Sequence, residues 1–146
     1  MRPYFALVSS ARPGAKLPRR ADPGSAGYDL YLVEDVVLLP RRVTLVFTDV
    51  KAYMSQDTVL LITIRSSLGR RGIVLANAPG VVDASYVDNP TNEGNIGLLL
   101  LNLTDEPVEL KAGSRVAQGI FVNYLLAEGD VPIAAGRIGG LGSSGA

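Results

Sequence analysis

The chain has 146 residues, of which 47% are hydrophobic and 19% charged, so it is long and apolar enough to fold as one domain around its own core. Its 14 basic and 14 acidic residues cancel, which leaves no basic field of the kind that binds nucleic acid. The absence of Cys and His excludes disulfides, thiol nucleophiles, Ser-His-Asp triads and Cys or His metal sites. Any proton transfer therefore falls to Asp, Glu, Lys or Tyr, and a carboxylate is the expected base.

Short apolar runs between Gly- and Pro-containing turns predict an all-β fold. No window shows a sustained helical period, and the best helical candidate is a single turn over Ser66–Arg71. Many short strands with regular turns are typical of a β-sandwich, a jelly roll or a small barrel. The runs predicted to be strands are Tyr4–Ser9, Tyr28–Val33, Asp35–Leu39, Val43–Phe47, Val59–Ile64, Ile73–Ala76, Asn95–Leu103, Val108–Lys111 and Arg115–Tyr124.

The two ends of the chain differ in character. The N-terminal apolar stretch is too short for a secretory signal and no run approaches the length of a spanning helix, so we expect a cytoplasmic protein with no membrane partner. We divide the chain into a β domain over residues 1–133 and a Gly-rich arm over residues 134–146. The arm is either a frayed terminus or a segment that orders over a ligand, because Gly-rich backbone offers N–H groups to phosphates.

Two segments in the first half of the chain have residues suited to charged ligands. Asp29 lies in the apolar segment Ala26–Leu30, where a buried carboxylate is costly unless it is paired or metal-linked, although an alternating strand would also turn it to solvent. The segment Arg65–Gly72 joins a Ser-Ser-Leu-Gly turn to three arginines. Hydroxyls, turn N–H groups and guanidinium groups suit phosphate, although solvated loop arginines are commoner.

Two later segments contain further polar groups in apolar surroundings. In Asn77–Tyr86, Asp83 follows two valines, and a carboxylate at the end of a buried strand can accept a proton from an ordered water, although Asp also serves simply to form turns. In Gly113–Gln118, strand alternation predicts that Val116 and Gln118 share a face, so the amide of Gln118 needs a partner.

Taken in this order, these segments resemble the five motifs of the homotrimeric dUTP pyrophosphatases (dUTPases), over nearly the whole chain from Ala26 to Gly145. The matching segments are Ala-Gly-Tyr-Asp-Leu at 26–30, Arg-Ser-Ser-Leu-Gly at 65–69, Gly-Val-Val-Asp-Ala-Ser-Tyr at 80–86, Gly-Ser-Arg-Val-Ala-Gln at 113–118 and Arg-Ile-Gly-Gly-Leu-Gly-Ser-Ser-Gly at 137–145. The resemblance implies a jelly-roll-like distorted β-barrel with at most one short helix. It also implies a homotrimer whose three active sites each draw motifs from all three chains.

The same resemblance implies hydrolysis of dUTP to dUMP and pyrophosphate with Mg²⁺ on the triphosphate, which limits uracil in DNA and supplies dUMP for thymidylate synthesis. It makes Asp83 the general base that activates water for attack on the α-phosphorus. It places Tyr86 under the deoxyribose, where the ring excludes a ribose 2′-hydroxyl. Asp29 and Gln118 would contact the metal or the phosphates, through metal-bound water. The other substrate-binding residues that it implies are Asn77, Gly80, Ile96, Gly97 and Leu98 around the base, Arg65, Ser66 and Ser67 at the phosphates, and Arg137, Leu141, Gly142, Ser143 and Ser144 in the arm.

The chain departs from the family pattern at two places. Leu141 stands where the family usually has a Phe that stacks on uracil, so we expect weaker substrate binding or looser closure of the arm without loss of the chemistry. Residues 87–93 lengthen the turn after Tyr86, and their polar, Pro-containing composition predicts a surface hairpin tip.

Two other functions are open at this point. The dCTP deaminases have the same fold and an Arg-Ser-Ser-Leu segment, but their catalytic Glu lies on the strand where this chain has Leu99, and Glu93 lies in the preceding turn. A non-catalytic nucleotide-binding regulator would bind dUTP without releasing pyrophosphate. The segment Gly97–Leu101 has no polar residue, so we expect both faces of its strand to be buried, either at a threefold interface or within one subunit.

Overall fold

Strands form almost all the regular structure of residues 1–134, which are the residues that the computed structural model describes. Helical structure in this range comprises one turn, α1 (Ser66–Gly69), and a 3-10 turn at Ala84–Tyr86. The all-β class predicted from the sequence is therefore confirmed. The strands are β1 (Tyr4–Leu7), β2 (Tyr28–Tyr31), β3 (Val36–Leu38), β4 (Val43–Phe47), β5 (Val50–Tyr53), β6 (Thr58–Ile64), β7 (Ile73–Leu75), β8 (Gly80–Val82), β9 (Gly97–Asn102), β10 (Val108–Leu110) and β11 (Arg115–Asn123).

The strands pair antiparallel in four sheets. The largest has the order β2-β11-β6-β8, and a second has the order β4-β9-β7. Two further pairs, β1-β5 and β10-β3, flank them. Within residues 1–134 the sheets do not close into one continuous barrel, so the architecture is an open form of the barrel that the sequence predicts.

One hydrophobic cluster joins all four sheets, which makes residues 1–134 a single folding unit. Strand β9 shows how the sequence builds it, because Leu98 and Leu100 are buried in the cluster while Leu99 and Leu101 on the opposite face are half-buried. Burial of such side chains from water is the main stabilising contribution to a domain of this size. The fully enclosed members of the cluster are Leu30, Leu38, Leu60, Ile73, Ile96, Leu98, Leu100, Val50 and Val116.

Two strands lie outside the sequence-based prediction. β5 contains Lys51, which interrupts its apolar pattern, and the structure buries this lysine because it has acidic partners. β8 has three residues and follows a Pro, so it has too little length for a periodic signal. No helix in residues 1–134 has the length and apolarity needed to cross a membrane.

Candidate active site

A pocket of about 60 Å³ lies between β8, the 3-10 turn and the start of β9. Every residue that the sequence analysis placed around the base lines it, and so does Tyr86. Residues of β6, β7 and β8 complete the wall, and their hydrophobic side chains gave no signal beyond that of ordinary core positions. The lining residues are Ile62, Leu75, Asn77, Gly80, Val81, Val82, Tyr86, Ile96, Gly97 and Leu98.

Gly80 lies beside the amide of Asn77 at the edge of this pocket. A Cβ at position 80 would lie 3.4 Å from the Cβ of Ile62 and 3.7 Å from Nδ2 of Asn77. A larger side chain would therefore fill the space beside the amide. The pocket combines one amide with an apolar wall, which suits a flat polar ring.

Tyr86 forms a rigid side of the pocket. Its side chain is buried, its hydroxyl donates to the carbonyl of Asn95 at 2.6 Å, and Nδ2 of Asn92 donates to the hydroxyl at 2.8 Å. A tyrosine held at both its ring and its hydroxyl has little freedom to move away from a ligand.

Asp83 follows the pocket-lining residue Val82 directly. Its backbone is extended, and its carbonyl accepts a hydrogen bond from the backbone N–H of Tyr86 at 3.0 Å, which begins the 3-10 turn. The side chain is half-buried. The structure therefore places a carboxylate directly after β8, next to the wall of the pocket.

Asp29 lies in a second polar group, centred on the pair β2-β11. Its carboxylate is buried, with Nε of Arg65 at 3.3 Å from Oδ1 and a guanidinium nitrogen of Arg115 at 3.5 Å from Oδ2. The alternative that Asp29 faces solvent is therefore wrong. Arg115 was not among the predicted binding residues, and its place within the fourth motif is the signal that could have found it.

The prediction that Val116 and Gln118 share a face is wrong because β11 has a bulge. The register with β2 shifts between Arg115 and Ala117, and both Val116 and Ala117 are fully buried. A bulge adds one residue on one strand and resets the alternation. Gln118 consequently lies directly opposite Asp29, on the same side as the guanidinium of Arg115.

Gly27 allows the side chain of Gln118 to lie close to the chain of the first motif. A Cβ at position 27 would come within 2.2 Å of Oε1 of Gln118. The missing side chain at position 27 therefore leaves space for the Gln118 amide beside the segment Ala26–Leu30, which also contains Asp29. Asp29 and Gln118 thus lie close together because their strands pair at these residues and because Gly27 has no side chain.

The first turn of α1 extends the second polar group towards solvent. The backbone N–H of Arg65 donates to the carbonyl of Val116 at 3.1 Å, which fixes the start of the turn beside β11. Ser66 and Ser67 follow and are exposed. The hydroxyls of Ser66 and Ser67 and the guanidinium groups of Arg65 and Arg115 are groups suited to phosphate oxygens.

Within one chain the two polar groups lie at different ends of β6. Val82 is opposite Leu60, so Asp83 leaves the sheet beside the first half of β6, whereas Arg65 follows its last residue. The five steps along the chain from Leu60 to Arg65 span about 17 Å in an extended strand. Within one chain, the carboxylate of Asp83 is therefore too far from Arg65 for the two side chains to be in contact.

The donors around Asp29 fit a cation that arrives with a polyphosphate better than a resident ion. Residues 1–134 contain no group of three or more carboxylate, His or Cys side chains that could hold a metal. Both oxygens of Asp29 already contact guanidinium groups, and Gln118 supplies an amide beside them. Mg²⁺ keeps several waters and needs one or two protein ligands besides phosphate, so this donor set suits it.

The turn over residues 87–93, termed here the inserted turn, exposes Asp88, Pro90 and Thr91 as its composition predicts, but it is not a free hairpin tip because it packs against the rest of the chain. Asn89 is 5% exposed, and its side chain bonds within the turn and to the carbonyl of Tyr86. Nζ of Lys51 contacts Asp88 at 2.6 Å and Glu93 at 2.8 Å. The turn is drawn onto β5 because a buried lysine needs both carboxylates.

The ion cluster around Lys51 makes a prediction about acid stability. Hydrogen bonds from Lys51 and Ser9 lower the pKa of Glu93 from 4.5 to about 2. Because this pKa is lower in the folded state, the carboxylate stabilises the fold above about pH 4.5, and the stabilisation is lost as the pH falls towards about 2. The melting temperature of wild type should exceed that of Glu93→Gln at neutral pH, with the gap closing over that range.

Thermal unfolding followed by circular dichroism measures this gap. The matched control is Glu109→Gln, which removes an exposed carboxylate of β10 outside the cluster. A gap for Glu93→Gln that stays constant with pH would show that the Glu93 carboxylate does not stabilise the fold through its charge.

The predicted residues of the arm, Arg137, Leu141, Gly142, Ser143 and Ser144, lie outside the described residues. The segment that precedes them, from Tyr124 to Ala134, is exposed. Its apolar side chains Leu125, Leu126, Val131 and Ile133 are from 71% to 107% exposed.

Comparison with known proteins gives a consistent result. The family model for dUTPase matches residues 14–144. A deoxyuridine 5'-triphosphate nucleotidohydrolase of Lactococcus lactis is 40% identical over 148 aligned positions, which cover 100% of this chain and 99% of the relative. The crystal structure of a dUTPase from Streptococcus mutans superposes with a TM-score of 0.82 at 42% identity, over 86% of this chain and 99% of that one. A mutant dUTPase from phage phi11 of S. aureus, which coordinates a structural Mg(II) ion, shares the fold with a TM-score of 0.73 at 23% identity, over 92% of this chain and 99% of that one.

Proposed function

The chain belongs to the dUTPase family, and from this premise we propose how its residues cleave dUTP. It is a dUTP diphosphatase, which converts dUTP to dUMP and pyrophosphate. The observation that carries the mechanism is the pocket that joins Asn77 and Tyr86 to the start of β9, with Asp83 next to its wall. We propose a role for each residue of the site, a place for a cation, and a site that is shared between chains.

The pocket binds the uracil and the deoxyribose. The amide of Asn77 and the backbone of Ile96–Leu98 pair with the polar edge of uracil, and the narrow apolar wall excludes a methyl group at the position where thymine has one. Tyr86 packs against the sugar. Because both its ring and its hydroxyl are held, it does not yield to a 2′-hydroxyl, and the site prefers dUTP to UTP.

Asp83 acts as the general base. Its carboxylate takes a proton from a water molecule as the water oxygen forms a bond to the α-phosphorus. The bond between the α-phosphorus and the oxygen that bridges to the β-phosphate breaks, and that oxygen leaves with pyrophosphate. The absence of His and Cys from the chain supports a carboxylate in this role.

The second polar group binds the triphosphate. Arg65, Ser66 and Ser67 donate to phosphate oxygens, and Arg115 adds a guanidinium beside them. Asp29 and Gln118 would hold Mg²⁺ beside the triphosphate, where the cation would neutralise negative charge on the phosphates. The two guanidinium groups that contact Asp29 hold its carboxylate in place before the substrate arrives.

The site is shared between chains of a homotrimer. Asp83 and Arg65 lie at different ends of β6 in one chain, so a neighbour must bring its phosphate-binding group to the pocket. The chain has an unpartnered apolar face for this contact, because Leu45 lies opposite Leu99 and Val43 opposite Leu101 across β4 and β9. Val43 and Leu45 are 51% and 43% exposed, which is typical of an interface rather than of a monomer surface.

The described part of the segment after β11 supports the same assembly. Four of its large apolar side chains project from the chain and would be covered on a neighbouring subunit. We propose that residues 134–146 continue from there as an arm that closes over a neighbour's site, with Arg137 and Ser143 at the terminal phosphates and Leu141 over the base.

The deaminase alternative has less support. Leu99 occupies the strand position at which an acid/base would be needed. Glu93 lies in the inserted turn, where Ser9 and Lys51 engage both of its oxygens. A carboxylate held in this way is not available to a ligand in the pocket.

Pyrophosphate release from dUTP, dTTP, dCTP and UTP in the presence of Mg²⁺ tests the proposed function. We expect dUTP to be hydrolysed with a kcat/KM at least about 100-fold above that of the other three, because the site rejects a methyl group, an amino group and a ribose hydroxyl separately. Ammonia is measured in parallel. Ammonia from dCTP, or tight dUTP binding without pyrophosphate, would contradict the proposal in favour of the deaminase or the regulator.

A further inference from the structure

The hydroxyl of Tyr86 has two partners, and one of them belongs to the inserted turn. It donates to the carbonyl of Asn95 at 2.6 Å and accepts from Nδ2 of Asn92 at 2.8 Å. Neither asparagine lines the pocket, whereas Tyr86 and Ile96 do. Asn92 therefore reaches the pocket through the tyrosine.

The orientation of the Asn92 amide is fixed by its other bonds. Its Oδ1 accepts from the backbone N–H of Gly94 at 3.0 Å and from Nδ2 of Asn89 at 2.8 Å. Only the oxygen can accept these two donors, so the NH₂ group must face Tyr86. The amide is thus a directional link between the inserted turn and the tyrosine.

The inserted turn is itself anchored at both ends. Asp88 and Glu93 both contact the buried ammonium of Lys51, and Asp88 also accepts from the hydroxyl of Tyr53 at 2.6 Å. Glu93 accepts from the backbone N–H and the hydroxyl of Ser9. These bonds connect the turn to β5 and to the end of β1, so Asn92 has a rigid support.

The geometry points to Asn92 as a positioning residue that sets the discrimination between deoxyribose and ribose by fixing the hydroxyl of Tyr86. This inference rests on the proposed function, in which Tyr86 packs against the sugar. It assigns a role to the inserted turn beyond the contacts of Asp88 and Glu93 with Lys51, Tyr53 and Ser9. If the link is broken, the ring can shift and admit a 2′-hydroxyl.

Asn92→Asp tests the link with the smallest change of shape. The variant keeps an oxygen for Gly94 and Asn89 but replaces the donor that faces Tyr86 by an acceptor. The single hydroxyl proton of Tyr86 cannot serve both this acceptor and the carbonyl of Asn95. We expect the ratio of kcat/KM for dUTP to kcat/KM for UTP to fall about three- to tenfold, as for the loss of one hydrogen bond.

Tyr86→Phe separates a role through the hydroxyl from a general structural role. Tyr86→Phe alone should lower the dUTP/UTP ratio by a similar factor, because it removes the same group. In the double variant Asn92→Asp with Tyr86→Phe, the asparagine change should lower the ratio by less than about twofold, since its target is absent. The affinities of dUDP and UDP, measured by titration calorimetry, should follow the same pattern without dependence on turnover.

Asn123→Asp is the matched control. It introduces the same charge at the end of β11, where Nδ2 of Asn123 donates to the carbonyl of Asp57 at 3.2 Å, away from the pocket. The control should leave the dUTP/UTP ratio unchanged. A melting curve for each variant verifies that it is folded.

The inference is overturned if Asn92→Asp leaves the dUTP/UTP ratio unchanged, or lowers it by the same factor with Tyr and with Phe at position 86. It is supported if the loss appears with Tyr86 and disappears with Phe. Failure of the proposed function gives a different result, because wild type would then release no pyrophosphate from dUTP.

Discussion

Replacing Asp83 with Asn is expected to lower kcat for dUTP by about 10²- to 10⁴-fold, the usual contribution of a general base. The amide has nearly the same shape as the carboxylate but cannot accept a proton from water. Because Asp83 lies beside the wall of the pocket and is not among the residues that line it, KM should change by less than about threefold. A large loss in kcat with an intact KM is characteristic of a group that acts in the transition state.

Steady-state pyrophosphate release measures both constants. Asp105→Asn is the matched control, since Asp105 is 83% exposed and pairs with Arg41 at the surface, where an ion pair contributes little. Its kcat should equal that of wild type. Unchanged turnover in Asp83→Asn would remove the base from the mechanism and with it the role of the third motif.

Local sequence patterns predicted most strands, and the family resemblance predicted the residues of the base pocket. β9 and β6 are both apolar runs of consecutive residues, so a local pattern is enough to predict them as strands. Asn77 and Gly97 are far apart in sequence, and it was the family resemblance that brought them together. Strand β5 was missed because Lys51 is buried by acidic partners that are about forty residues further along the chain.

The bulge in β11 could not be predicted from alternation. Val116 and Ala117 are consecutive and both pack in the hydrophobic cluster, whereas regular alternation would turn one of them to the opposite face of the strand. The bulge places Gln118 opposite Asp29 in the register of β11 with β2. The burial of Asp29 could not be predicted from its own segment either. Both of its guanidinium partners are distant in sequence, because Arg65 follows β6 and Arg115 begins β11.

The inserted turn illustrates a different limit of sequence reasoning. A polar, Pro-containing segment usually lies at the surface, yet Asn89 is buried because its side chain replaces backbone partners within the turn. Composition alone cannot distinguish a solvated turn from one whose polar groups satisfy one another. Here the contacts of Asp88 with Lys51 and of Asn89 with Tyr86 hold the turn against the rest of the chain.

Two inactive variants are expected to restore activity to each other when their chains assemble together. Arg65→Ala removes a phosphate ligand, and Asp83→Asn removes the base, so each homotrimer should be nearly inactive. If Asp83 and Arg65 of one site come from neighbouring chains, a trimer that contains both variants has one junction at which both residues are wild type. Such trimers should recover about one third of the wild-type activity, whichever variant is in excess, because a cyclic trimer has three junctions.

Co-expression with two different affinity tags and purification over both isolates the mixed trimers. Sedimentation should give three times the 15.4 kDa mass of the chain. The control is each variant co-expressed with itself under both tags, which should remain as inactive as the single-tag protein.

The central claim is that dUTP is cleaved in a site built from two chains around Asp83, and pyrophosphate release by the doubly purified mixed trimers tests it most directly. The account predicts about one third of the wild-type rate. A rate no higher than that of the two parent variants would contradict it, because a site contained within one chain cannot be repaired by its neighbour.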